Sequence, residues 1–191
     1  MNKITNIISQ SIGVKQIIMS DPQFLDQIDQ VVHIITEAYR NNNKVLFCGN
    51  GGSAADAQHL AAELSGRFYF DRPPLYAEAL HVNTSYLTAV ANDYSYDEVY
   101  ARLIRGIGQK GDILVGISTS GNSKNIVKAF DVAKEKKMTV IAFTGESGGI
   151  MKNHCDLLLN VPSSDTPRIQ ESHILIGHII CELVESALFS R

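Results

Sequence analysis

The sequence is poor in cysteine, and the three it has, Cys48, Cys155 and Cys181, are scattered with no CxxC spacing. That gives no disulfide framework and points to buried thiols in a reducing compartment. It also lacks an excess of either charge: 17 Lys and Arg stand against 20 Asp and Glu, a formal net charge of −3. Nothing electrostatic therefore argues for nucleic acid as a partner. No apolar run is long enough to cross a bilayer, since the most apolar late stretch, 174–184, is interrupted by His178 and Glu182. The opening MNKITNIISQSIGVKQIIMS has neither a continuous apolar core nor a small-residue cleavage site. No signal peptide, no membrane partner and a cytoplasmic location are expected. Repeats and low-complexity segments are lacking too. What remains is ordinary globular material: 191 residues, 45% hydrophobic and 19% charged, enough to bury the core of one domain.

Residues 4–42 have helical periodicity throughout. Ile4, Ile7, Ile8 and Ile12 form one stripe; Phe24, Leu25, Ile28, Val31, Val32 and Ile35 form another, behind the start signal Asp21-Pro22. This predicts a helical hairpin, residues 1–43, whose stripes must bury on the domain or on a neighbouring subunit. From 44 to 191 the pattern alternates. Strands are expected near 44–48, 75–80, 112–117, 138–144 and 156–161, and helices near 53–66, 84–92, 96–108, 123–136, 149–154 and 168–189. Nearly all-apolar third and fourth strands imply a parallel sheet covered on both faces, hence an α/β doubly wound domain. In a five-stranded sheet of order 2-1-3-4-5, ligands bind where strands one and three diverge, at their carboxyl ends.

Two loops fall at that switch point. The first, Gly49-Asn50-Gly51-Gly52-Ser53, joins a strand to a helix whose N-terminus suits an anion. The second, Ser118-Thr119-Ser120-Gly121-Asn122-Ser123, crowds hydroxyls ahead of a helix that Ser123 can cap, a cradle for a phosphate monoester. No lysine stands in P-loop position, and although Gly49, Gly51 and Ala54 fit a relaxed dinucleotide fingerprint, the second strand ends in Leu80-His81-Val82-Asn83 with Glu78 inside it, so the ribose-binding acid is poorly placed. His59 and Glu63 are four apart on one helical face. Gln170 and His178, eight apart, differ by about 80° around a helix and can face the same crevice. Two histidines, a carboxylate and an amide oxygen can ligate a divalent metal. His173 points elsewhere and is expected to be a packing or surface residue.

The segments CGNGGSAADAQHLAAELSGR, ANDYS, GISTSGNS, FTG and RIQESHILIGH, in that order, resemble the sugar isomerase (SIS) family, and within it the phosphoheptose isomerases. The resemblance runs from about Lys44 to the C-terminus, and the helical extension fits it. It implies conversion of sedoheptulose 7-phosphate to D-glycero-D-manno-heptose 7-phosphate, the first step toward the heptose of lipopolysaccharide or related surface glycans. It places substrate at Asn50, Gly51, Gly52, Ser53, Glu63, Asn92, Asp93, Ser118, Thr119, Ser120, Ser123 and Gln170. It further implies one Zn²⁺ per subunit on His59, Glu63, Gln170 and His178, and a homotetramer with sites at subunit interfaces.

Moving a carbonyl from C2 to C1 shuttles a proton between adjacent carbons through an enediol. Glu63 and His178, a carboxylate and an imidazole on opposite sides of the substrate, are the expected base and acid. Some relatives carry Asp immediately before Arg-Ile-Gln-Glu; here Pro167 stands there and Asp165 lies two residues earlier, so an accessory role for that Asp does not carry over. The alternative is a non-catalytic member of the family. One such relative binds the replication initiator DnaA, and 87–108 resembles it as much as the isomerases; a module that only senses a sugar phosphate is a third reading. Glu63 and His178 favour the enzyme.

Overall fold

The computed structural model describes residues 2–189. Helices α1 (Lys3–Met19) and α2 (Pro22–Arg40) precede β1 (Val45–Gly49), α3 (Gly52–Ser65), β2 (Ala77–Ala79), α4 (Thr84–Asp93) and α5 (Val99–Ile107). Then come β3 (Ile113–Ile117), α6 (Lys124–Glu135), β4 (Thr139–Gly145), β5 (Leu157–Val161) and α7 (Thr166–Leu188). The expected helices at 96–108 and 149–154 are shorter. Single 3-10 turns occupy Tyr96–Glu98, ahead of α5, and Met151–Asn153.

All strand pairs are parallel, in the order β2-β1-β3-β4-β5. Alternation along each strand divides the interior into two cores. Val45 and Phe47 of β1 join Ile113, Val115, Ile141 and Phe143 beneath α2, α3 and α7. Leu46 and Cys48 join Leu114, Val140, Tyr100, Ile104 and Phe130 beneath α5 and α6. The result is a three-layer sandwich with both loops of the switch point at one end of the sheet.

The two N-terminal helices differ in what they bury. Asp21 caps α2 by accepting from the N–H groups of Gln23 and Phe24, and Phe24, Ile28, Val31, Val32 and Ile35 sink into the core shared with α7. Helix α2, part of the 1–43 extension, thus packs on the domain itself. Helix α1 is held differently. Arg168 donates to the Ile7 carbonyl at 2.9 Å and Ser11 to Glu171 at 2.6 Å, while Ile4, Ile7, Ile8 and Ile12 remain 64, 44, 53 and 49% exposed. Cys48 and Cys181 are buried as expected, but Cys155 is only half-buried, and all three are free thiols. Among the described residues no helix is long and apolar enough to cross a membrane.

Candidate active site

The glycine turn is built for close approach. Gly51, the residue before α3, has φ +58°, where a side chain is strained. A Cβ on Gly52 would lie 2.3 Å from Nε2 of Gln170. The bare backbone at 52 is what lets α7 bring Gln170 against the turn. Asn50 is half-buried, Ser53 buried, and Gly51 and Gly52 exposed.

In the second loop three hydroxyls converge: Ser118 Oγ lies 2.9 Å from Ser123 Oγ and 3.4 Å from Ser120 Oγ. Ser123 holds the position before α6, but its side chain does not cap the helix. Its oxygen is turned to Ser118 instead. Thr119 ties the loop to β4, its carbonyl accepting from Gly145 N–H at 3.0 Å, and its hydroxyl makes none of the bonds in the serine cluster. Asn92 and Asp93 end α4 exposed, and the Asn92 amide donates to Asp93 Oδ1 at 2.9 Å. The hydrogen bond of that pair is internal and does not link it to either loop.

His59, Glu63 and His178 form one cluster, with a candidate ligand atom from each lying within 4.8 Å of the others. The Nε2 atoms of His59 and His178 are 2.9 Å apart, and His59 Nε2 is 3.2 Å from Glu63 Oε1. Two imidazoles and a carboxylate converging on one point is a donor set that suits Zn²⁺. Gln170 is on the same helix as His178, with its side chain against Gly52. Glu63 and His178 thus lie beside one another at this end of the sheet.

Two buried side chains hold that geometry. Arg72 and Glu185 are 2% and 1% exposed and pair at 2.9 Å. Arg72 also donates to the carbonyls of Glu63 and Leu64 at 3.0 and 2.7 Å, and Glu185 accepts from the N–H groups of Phe68, Tyr69 and Phe70. The end of α3 that carries Glu63 is thus clamped to the α7 that carries His178, with the Phe68 ring 5.8 Å from the His178 ring. Burial works to raise the Glu185 pKa; the three amides and Arg72 outweigh it and hold the carboxyl below its ordinary value. One turn before His59, Asp56 has a buried Oδ2 with no hydrogen-bond partner. Burial raises its pKa, opposed by His59. Sequence reasoning missed Arg72 and Glu185, which lie in no motif, and Asp56, although it stands three residues before His59 in the glycine-turn segment. His173, expected to pack or lie at the surface, packs: it is fully buried, Nε2 lies 3.0 Å from the Thr144 carbonyl, and burial lowers its pKa to about 4 against that bond.

Strand order, switch-point loops and the histidine–glutamate cluster define a doubly wound α/β protein with a candidate site at the switch point, and the SIS domain model matches residues 16–145. A phosphoheptose isomerase of Clostridium acetobutylicum is 54% identical over 190 residues, spanning 100% of this chain and 97% of the relative. Among solved structures, the phosphoheptose isomerase GmhA from Neisseria gonorrhoeae is 43% identical with a TM-score of 0.90, covering 96% of this chain and 97% of that one. The phosphoheptose isomerase from Francisella tularensis is 38% identical with a TM-score of 0.92, covering 97% of both. The chain belongs to the SIS family, in its phosphoheptose isomerase branch.

Proposed function

We propose that this chain is an aldose–ketose isomerase that converts sedoheptulose 7-phosphate to D-glycero-D-manno-heptose 7-phosphate. The observation that carries this reading is the convergence of His59, Glu63 and His178 in a chain matched end to end by phosphoheptose isomerases. The product is the first heptose on the way to lipopolysaccharide or related surface glycans, made in the cytoplasm.

The phosphate is taken by Ser118, Ser120 and Ser123 with Thr119, at the start of α6, where hydroxyls and a helix N-terminus favour a dianion. Asn50, Gly51, Gly52 and Ser53 form the facing wall, and Gln170 closes it over Gly52. Asn92 and Asp93, at the end of α4, are assigned to the hydroxyls of the sugar chain.

Glu63 removes a proton from C1 of the ketose. The electron pair forms the C1–C2 enediol as the C2 oxygen gains a proton. Glu63 then returns a proton to C2 on the same face, and loss of the O1 proton leaves the C1 aldehyde. His178, beside Glu63, moves the protons of O1 and O2. General acid–base transfer of this kind is worth roughly 10²–10⁴-fold per group. His59, Glu63 and His178, joined by Gln170, would hold one Zn²⁺ per subunit. Bound there, the ion supplies electrophilic polarisation of the substrate oxygens.

A homotetramer accounts for the exposed isoleucine stripe of α1, which finds no cover within the described chain. The reading is tested with Glu63→Gln and His178→Gln, made separately. Each is expected to fold normally and lose turnover of sedoheptulose 7-phosphate by at least about 100-fold. Normal turnover in both would remove them from the chemistry.

A further inference from the structure

Asn125 is buried at the start of α6, outside the residues marked for substrate. Its amide and that of Asn50 form a reciprocal pair: Asn50 Nδ2 donates to Asn125 Oδ1 at 3.0 Å, and Asn125 Nδ2 donates to Asn50 Oδ1 at 2.9 Å. The Tyr96 hydroxyl donates to the same Asn50 oxygen at 3.2 Å. Asn125 Oδ1 also accepts from the N–H of Ile126 at 3.0 Å, a donor it shares with the Ser123 carbonyl at 3.1 Å. A backbone N–H can only donate, so it dictates which end of the Asn125 amide is oxygen. The reciprocal pair then dictates the orientation of Asn50. At Asn50 both oxygen lone pairs are used and one amide proton is committed. One Nδ2 proton remains.

Tyr100, fully buried, donates its hydroxyl to the Gly49 carbonyl. Gly49 and Asn50 are consecutive in the turn after β1, while Asn125 follows the serine loop after β3. The two walls of the crevice are therefore joined through one amide pair.

We propose that Asn125 and Tyr96 are positioning residues that lock the Asn50 amide so that its remaining Nδ2 proton is kept for an oxygen of the sugar chain. This rests on the sugar-phosphate reading above. If the Asn50 amide turned over, it would present its oxygen to a sugar oxygen and repel it. Asn125 and Tyr96 thus act on recognition of the sugar, and the serine loop binds phosphate independently of them.

The test is steady-state kinetics on sedoheptulose 7-phosphate, with inhibition by inorganic phosphate, for the wild type, Asn125→Asp, Asn125→Leu and Tyr96→Phe. Loss of an oriented hydrogen bond predicts kcat/KM lowered about tenfold or more by either Asn125 change, and about two- to fivefold by Tyr96→Phe. The inhibition constant for phosphate stays within about twofold, because the serine hydroxyls are untouched. Asn125→Asp adds a pH signature. An ionised carboxylate cannot donate to Asn50 Oδ1, but a protonated one can, and burial favours the protonated form. Relative to wild type, the penalty of Asn125→Asp therefore shrinks as pH falls, while that of Asn125→Leu stays flat. Variants that match wild-type kinetics overturn the proposal. So does a phosphate constant that worsens in step with kcat/KM, or an Asn125→Asp penalty with no pH dependence. A wild type that makes no aldose removes the isomerase reading itself, and this proposal with it; the two failures are told apart by that first measurement.

Discussion

The Nε2 atoms of His59 and His178 face one another at 2.9 Å, with Glu63 Oε1 3.2 Å from the first. Two ring nitrogens at that separation cannot both carry protons along the line between them; at least one offers a lone pair. The arrangement is ready for a cation. His59→Ala is expected to weaken Zn²⁺ binding by more than about 100-fold. Competition against a chromophoric chelator measures it without reference to activity. Unchanged affinity would mean that the metal, if bound at all, sits elsewhere.

Gly52→Ala separates site geometry from stability. The added methyl meets the end of the Gln170 side chain at 2.3 Å, and a flexible amide can swing away while the fold stays intact. Stability is expected to change by no more than about 1 kcal/mol, with kcat/KM falling at least tenfold, roughly, as Gln170 leaves the turn. Thermal unfolding and turnover on the same preparation make the comparison.

The Arg72–Glu185 clamp carries the opposite signature. Glu185→Ala leaves a buried guanidinium without its partner and is expected to cost about 3–5 kcal/mol of stability, read by denaturant unfolding. Because the folded Glu185 pKa is depressed, its contribution is present above the ordinary glutamate value of about 4.3. It is lost as pH falls through the lower, folded value. Wild type and Glu185→Ala should therefore converge in stability under strongly acidic conditions.

His173 titrates in a higher window. Burial lowers its folded pKa from 6.5 to about 4, so it is neutral in the native protein and takes up a proton more readily when unfolded. Its contribution is complete above pH 6.5 and declines as pH falls toward 4, by on the order of 3 kcal/mol across that range. His173→Gln should flatten the stability-against-pH curve there, seen as a smaller shift in unfolding midpoint.

Helix α1 makes a prediction about assembly. Changing Ile4, Ile8 and Ile12 together to Ser should leave the core intact, since these side chains are 64, 53 and 49% exposed. It should lower the molar mass seen by light scattering if the stripe is buried between subunits.

Much of this was legible in the sequence, for identifiable reasons. Apolar β3 and β4 and the two small-residue loops follow from local chemistry, and with them the sheet order and the crevice. His59 with Glu63, and Gln170 with His178, are visible because helical spacing puts each pair within reach of one face. Other features depend on contacts between distant segments that carry no local pattern. The Arg72–Glu185 clamp and the Asn50–Asn125 pair are of this kind. Ser123 looked like a helix cap because its position allows one; the nearby Ser118 hydroxyl offered a competing partner and won. Periodicity gave α1 and α2 similar stripes but could not tell which would be covered by the chain's own core.

The most direct measurement of the central claim is to incubate the purified protein with sedoheptulose 7-phosphate, with and without a chelator, and follow the C1 aldose signal by NMR. The account predicts steady formation of D-glycero-D-manno-heptose 7-phosphate, abolished by the chelator and restored by Zn²⁺. No aldose under any of the three conditions would contradict it.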